Sequence, residues 1–79
     1  MKFQMRPTVN NRYKRRFPYE LACESYDRIM FKVARDVLGH RAVTLLPGPE
    51  QVATVGWNGQ GFSLYFMTEE ARMRVILAV

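Results

Sequence analysis

The sequence holds very few of the residues from which active sites are built: one cysteine, Cys23, and one histidine, His40, in 79 residues. A lone cysteine excludes an internal disulfide, fits a reducing compartment and, beside a lone histidine, excludes the usual zinc ligand sets. No stretch approaches the roughly 18 apolar residues of a membrane-spanning helix. The opening Met1-Lys2-Phe3-Gln4-Met5-Arg6-Pro7 has no apolar core of signal-peptide length. These absences lead to the expectation of a soluble, intracellular protein.

The first sixteen residues also lack any acid. They carry Lys2, Arg6, Arg12, Lys14, Arg15 and Arg16, which is half of the twelve basic residues, whereas all seven acidic residues lie beyond them. The net charge of +5 therefore belongs to an N-terminal arm, and the remainder is slightly acidic. An electrostatic partner is to be sought at that arm.

The composition, with 48% hydrophobic and 13% aromatic residues, is that of a folded chain. Its length suits one domain over 1–79, and such a domain buries only about 60% of its unfolded surface. Residues 1–17 show no sustained periodicity and are expected to form a basic arm with at most a brief strand, since Arg6-Pro7 and Asn10-Asn11 interrupt it.

Pro18 suits a helix first turn. Leu21, Ala22, Tyr26, Ile29, Met30, Val33, Ala34, Val37 and Leu38 then recur at helical spacing, with Glu20, Glu24, Asp27, Arg28, Lys32, Arg35 and Asp36 opposite. Glu24 and Arg28 form a favourable i,i+4 pair, and Gly39 is placed as a C-terminal cap.

Three strands are predicted next: Ala42–Leu46, a turn at Pro47-Gly48-Pro49-Glu50, Gln51–Trp57, a hairpin turn at Asn58-Gly59-Gln60-Gly61, and Phe62–Met67. Alternation places Val43, Leu45, Ala53, Val55, Trp57, Phe62, Leu64 and Phe66 on a core face. Thr44, Thr54, Ser63, Tyr65 and Met67 fall on the other, which is left for the arm, a second copy or a target to cover. Thr68 caps a last helix with Glu69 and Glu70 in its first turn, and Ala71, Val75, Ala78 and Val79 face the sheet. The expected architecture is a two-layer α+β fold, α-β-β-β-α, in which two helices lie on one face of a three-stranded antiparallel meander.

No constellation for catalysis emerges. His40 reads as a cation at a helix C-terminus or a solvated loop residue, and Cys23 as a small helix residue without an activating partner. Glu69 and Glu70 are explained by capping, and the acids of the first helix by a solvated face. Gly56-x-x-Gly59-x-Gly61 reverses the dinucleotide fingerprint and sits in a hairpin. No catalytic residue, metal or cofactor is assigned, and binding rather than catalysis is the expected mode of action.

Binding candidates begin with Arg12, Tyr13, Lys14, Arg15 and Arg16, followed by Phe17. Interleaved cations and aromatics can contact phosphates and stack on bases, or dock on an acidic protein surface through arginine–carboxylate pairs; a solvated tail is the third reading. Phe31 falls off the apolar stripe of the first helix, where it is either an ordinary exposed aromatic or a partner anchor. Tyr65 is the aromatic of the second sheet face.

The α-β-β-β-α order, with Gly48-Pro49 before the second strand, resembles the double-stranded RNA-binding domain over 18–79. That family opens its last helix with Lys-Lys-x-Ala-Lys to hold phosphates, where this chain has Glu69-Glu70-Ala71-Arg72-Met73. The resemblance thus implies the topology without the phosphate-holding function, and favours a protein partner over nucleic acid.

Tyr13-Lys14-Arg15-Arg16-Phe17-Pro18-Tyr19-Glu20 and Val55-Gly56-Trp57-Asn58-Gly59-Gln60-Gly61-Phe62 give the whole chain a resemblance to small phage-encoded anti-CRISPR proteins, especially inhibitors of type I-C surveillance complexes. That resemblance implies a non-enzymatic protein of the host bacterial cytoplasm, monomeric or homodimeric. It would bind a subunit of the RNA-guided complex and block target DNA or nuclease recruitment. A small nucleic-acid-binding phage accessory or regulatory protein is the alternative.

Overall fold

The computed structural model describes residues 3–23, 28–44 and 51–79. Along the chain run β1 (Phe3–Pro7), α1 (Asn11–Lys14), β2 (Tyr19–Cys23), α2 (Arg28–Leu38), β3 (Val43–Thr44), β4 (Ala53–Trp57), β5 (Phe62–Phe66) and α3 (Glu69–Ala78). The strands form one sheet in the order β1-β2-β5-β4-β3. All neighbours pair antiparallel except β3 and β4, which are parallel.

The α+β class stands, with α2 and α3 on one sheet face, but the sheet has five strands rather than three. The first correction concerns residues 18–23. Tyr19, Leu21 and Cys23 alternate with Glu20 and Ala22, and a strand lets that segment pair on both sides, with β1 and with β5. The ladders override a helical reading of Leu21-Ala22, and α2 begins only at Arg28. The arm is corrected too. Residues 3–7 are the outer strand of the sheet, and the next segment forms α1 against the sheet face. Third, β3 lies parallel to β4, in register Val43↔Ala53 and Thr44↔Thr54, so the expected meander and its double-stranded RNA-binding topology do not form. The Glu24–Arg28 pair, the side chain of Ile29, Tyr26, the remainder of the first predicted strand and the turn at 47–50 lie outside the described residues.

Local signals that do not depend on pairing behave as expected. Asn58 Oδ1 accepts from the N–H groups of Gln60 (2.8 Å) and Gly61 (2.7 Å), and Gly59 takes φ +96° in the β4–β5 hairpin. Thr68 Oγ1 accepts from Ala71 N–H at 3.1 Å to cap α3, and Gly39 ends α2 at φ +105°.

The core lies between the sheet and its two longer helices. Leu21, Val43, Ala53, Val55, Leu64 and Phe66 meet Met30 and Ala34 of α2 and Ala71 and Val75 of α3. Ala78 and Val79, expected on the sheet, are exposed at the end of α3, whose contact with the sheet is made by its earlier turns. Trp57, also expected in the core, lies at the hairpin end of β4, 55% exposed and edge-on to Phe62 at 5.6 Å. Among the described residues no helix is long and apolar enough to cross a membrane.

Candidate interaction surface

On the sheet face away from α2 and α3, strand register places Arg6, Glu20, Tyr65, Thr54 and Thr44 in one row across all five strands. The row is polar yet largely closed to water: Glu20 and Tyr65 are 0% exposed and Thr54 is 4%. Glu20 Oε2 accepts from Arg6 Nε (3.1 Å) and Nη2 (2.8 Å) and from Ser63 Oγ (2.6 Å). Asn58 Nδ2 donates to Ser63 Oγ at 2.8 Å, extending the network to the hairpin loop. Burying a carboxylate requires such partners. Helical spacing assigns Glu20 to a solvated face, and its role is hidden from the sequence because its partner Arg6 lies fourteen residues away across a strand pair. The only local trace is the period-two alternation around it.

The N-terminal segment closes this face. Tyr13 stacks on Tyr65 with ring centroids 4.2 Å apart and planes inclined by 16°. Gly56 lies beneath the same ring: a Cβ there would overlap the Tyr13 hydroxyl and stand 2.6 Å from Cζ. Tyr65 donates its hydroxyl to the Trp57 carbonyl at 3.2 Å, and Asn10 Nδ2 donates to that carbonyl at 3.1 Å. Burial, and then the Glu20 charge, push the Tyr65 phenol up to about 12. Tyr65 thus belongs to the interior and is not offered to a partner.

Both ends of α1 are clamped. At the start, Asn10 Oδ1 accepts from Arg12 N–H at 3.0 Å, so Asn10 serves as cap and as tie to β4 together. Beyond the helix, Phe17 is buried at 4% exposure, its N–H donates to Tyr13 O (2.8 Å), and its carbonyl accepts from Thr8 Oγ1 (2.6 Å). The aromatics of the motif point inward and its cations outward: Arg12, Lys14, Arg15 and Arg16 are all exposed. Arg16 leans on its surroundings, with Nη2 donating to Gln51 O at 3.4 Å and its guanidinium 5.2 Å from the Phe17 ring. Arg12, Lys14 and Arg15 form no ion pair among the described residues.

Phe31 is not a free anchor. It is half-buried against the core beneath α2, with the Arg35 guanidinium 5.7 Å from its ring. Among the described residues no group of His, Cys, Asp and Glu is arranged to hold a metal ion. Cys23 is half-buried in β2, and His40 is exposed, with Nε2 3.7 Å from Asp36. Arg72, in the stretch aligned with the phosphate-holding motif that this chain lacks, is 9% exposed, and its Nη1 donates to the carbonyls of Arg6 (3.3 Å) and Glu20 (3.4 Å).

Comparison with family models, with curated proteins and with solved structures finds no match to this chain.

Proposed function

We propose that this chain acts by binding an acidic protein surface through the cationic ledge built on α1. The observation that carries this reading is that Arg12, Lys14 and Arg15 are exposed and free of ion pairs among the described residues, on a segment pinned by Tyr13, Asn10 and Phe17. A solvated tail needs no such anchorage. Fixed in place, the cations lose less freedom on docking, which favours affinity. The inward turn of Tyr13 and Phe17 weighs against the nucleic-acid reading, because stacking on bases needs exposed rings.

The partner proposed, on the resemblance to anti-CRISPR proteins, is a subunit of a type I-C RNA-guided surveillance complex in the bacterial cytoplasm. The chain acts there as a non-enzymatic inhibitor, occupying a site needed for target DNA or for nuclease recruitment. Co-purification with a purified type I-C complex, read beside target-DNA binding by that complex, is the test. The expected result is a stoichiometric complex and lost DNA binding or cleavage, both reversed by changing Arg12, Lys14 and Arg15 to glutamate. No association and unchanged targeting would end this reading. Direct binding to free nucleic acid with a steep log–log salt slope would replace it with the phosphate-clamp alternative.

A further inference from the structure

One side of β1 faces β2, and the other is the outer edge of the sheet. Thr8 N–H donates to Pro18 O at 3.0 Å, and Thr8 and Pro18 continue the register in which Arg6 faces Glu20 and Gln4 faces Ala22. Hydrogen-bonded and non-bonded pairs alternate along an antiparallel ladder. The even-numbered residues of β1 therefore bond to β2, while Phe3, Met5 and Pro7 turn their main-chain groups outward. Pro7 fits this assignment, since its missing N–H falls where β2 needs none.

We infer that β1 joins the β1 of a second copy antiparallel about a two-fold axis at Met5, merging two five-stranded sheets into one. On that axis Met5 exchanges N–H and C=O bonds with its own counterpart, and each Phe3 N–H reaches the other copy's Pro7 carbonyl. The side chains agree with the main chain. Phe3 and Met5, 36% and 49% exposed, lie on the helix-bearing face and would cover Pro7 and Met5 of the other copy. On the opposite face Gln4 meets Arg6, whose charge Glu20 already balances at 2.8 Å, so no like charges oppose each other. Of the devices that keep edge strands from pairing, Phe3–Pro7 has no lysine and no bulge; its Pro7 withholds one outward N–H per copy, and its Arg6 is already paired with Glu20.

Such an axis stands perpendicular to the sheet and leaves both α1 ledges on one face. Each ledge sits over β5 and β4, two to three strands in from the edge, so at about 4.8 Å per strand the two are about 24–34 Å apart. That exceeds the ~8 Å screening length at physiological salt, and repulsion between the ledges does not oppose pairing.

The test is the solution mass of the full chain by size exclusion with light scattering, over a concentration series. The wild type should approach twice the 9.3 kDa chain mass as concentration rises. Met5→Pro removes an N–H that β2 does not use, and should stay monomeric with its circular dichroism intact. A chain carrying Met5→Cys and Cys23→Ser should form an intermolecular disulfide on mild oxidation, because directly bonded pairs hold Cα atoms about 5.5 Å apart. A wild type monomeric at every concentration would overturn the proposal. So would a dimer that persists in a folded Met5→Pro chain while the Met5→Cys, Cys23→Ser chain stays uncrosslinked. These readouts are independent of whether α1 binds a partner.

Discussion

Adding one methyl group at Gly56 should release the basic segment from the sheet. Gly56 has an ordinary backbone conformation, so alanine is not strained there by φ. The obstacle is the Tyr13 ring, whose Cζ and Cε2 would lie 2.6 and 2.9 Å from the new Cβ. Ordinary contact needs about 3.5–4.0 Å, so the ring must withdraw by roughly 1 Å. Withdrawal breaks the 4.2 Å stack on Tyr65, and overpacking of this kind costs about 1–3 kcal/mol. The decisive measurement is a double-mutant cycle by urea denaturation with Tyr13→Ala. With the ring gone, Gly56→Ala should become neutral or stabilise by up to about 1 kcal/mol, because alanine restricts the unfolded strand more than glycine does. Limited trypsin digestion gives a second reading, with Gly56→Ala accelerating cleavage at Lys14, Arg15 and Arg16 before the rest of the chain is cut. Additive costs in the two backgrounds, with unchanged cleavage, would show that Tyr13 does not pin α1 as described.

Three further outcomes follow from the polar row and the ledge. Arg6→Ala should cost about 2–4 kcal/mol in urea titrations by leaving Glu20 buried with Ser63 alone. The lower end is favoured because Arg6 is 28% exposed and water can reach the gap, and adding Glu20→Gln should restore most of the loss. Tyr65 ionises near 12 in the fold against 10.0 ordinarily, so its contribution is whole below pH 10 and is lost as pH climbs toward 12. Tyr65→Phe should accordingly flatten the fall in stability over that window and remove the late step from the ultraviolet phenolate titration. Changing Arg12, Lys14 and Arg15 to glutamate should leave the melting temperature within a few degrees of wild type, since none makes an ion pair among the described residues; a large drop would assign them a structural role.

Which parts of the molecule were legible in advance follows from how far apart the interacting residues lie. The Asn58–Gly61 turn, the Thr68 cap and the Gly39 terminus are set by groups within three or four positions of each other, and their chemistry is visible in the sequence itself. The concentration of positive charge before residue 17 and the scarcity of cysteine and histidine are likewise properties of the sequence alone.

Residues 19–23 were not legible, because five residues fit a two-residue or a 3.6-residue period nearly equally well. Pairing with segments fourteen and more than forty residues away decided between them. That same choice buried Glu20, set it against Arg6 and Ser63, and made the segment before it a covering layer. Tyr65 and the cationic motif both stand out in the sequence, but only the tertiary structure stacked Tyr13 on Tyr65 over Gly56. It thereby turned the rings inward and left the charges outside. Charge is carried by residue type and survives any fold, whereas burial is a relation between distant segments and exists only once they meet.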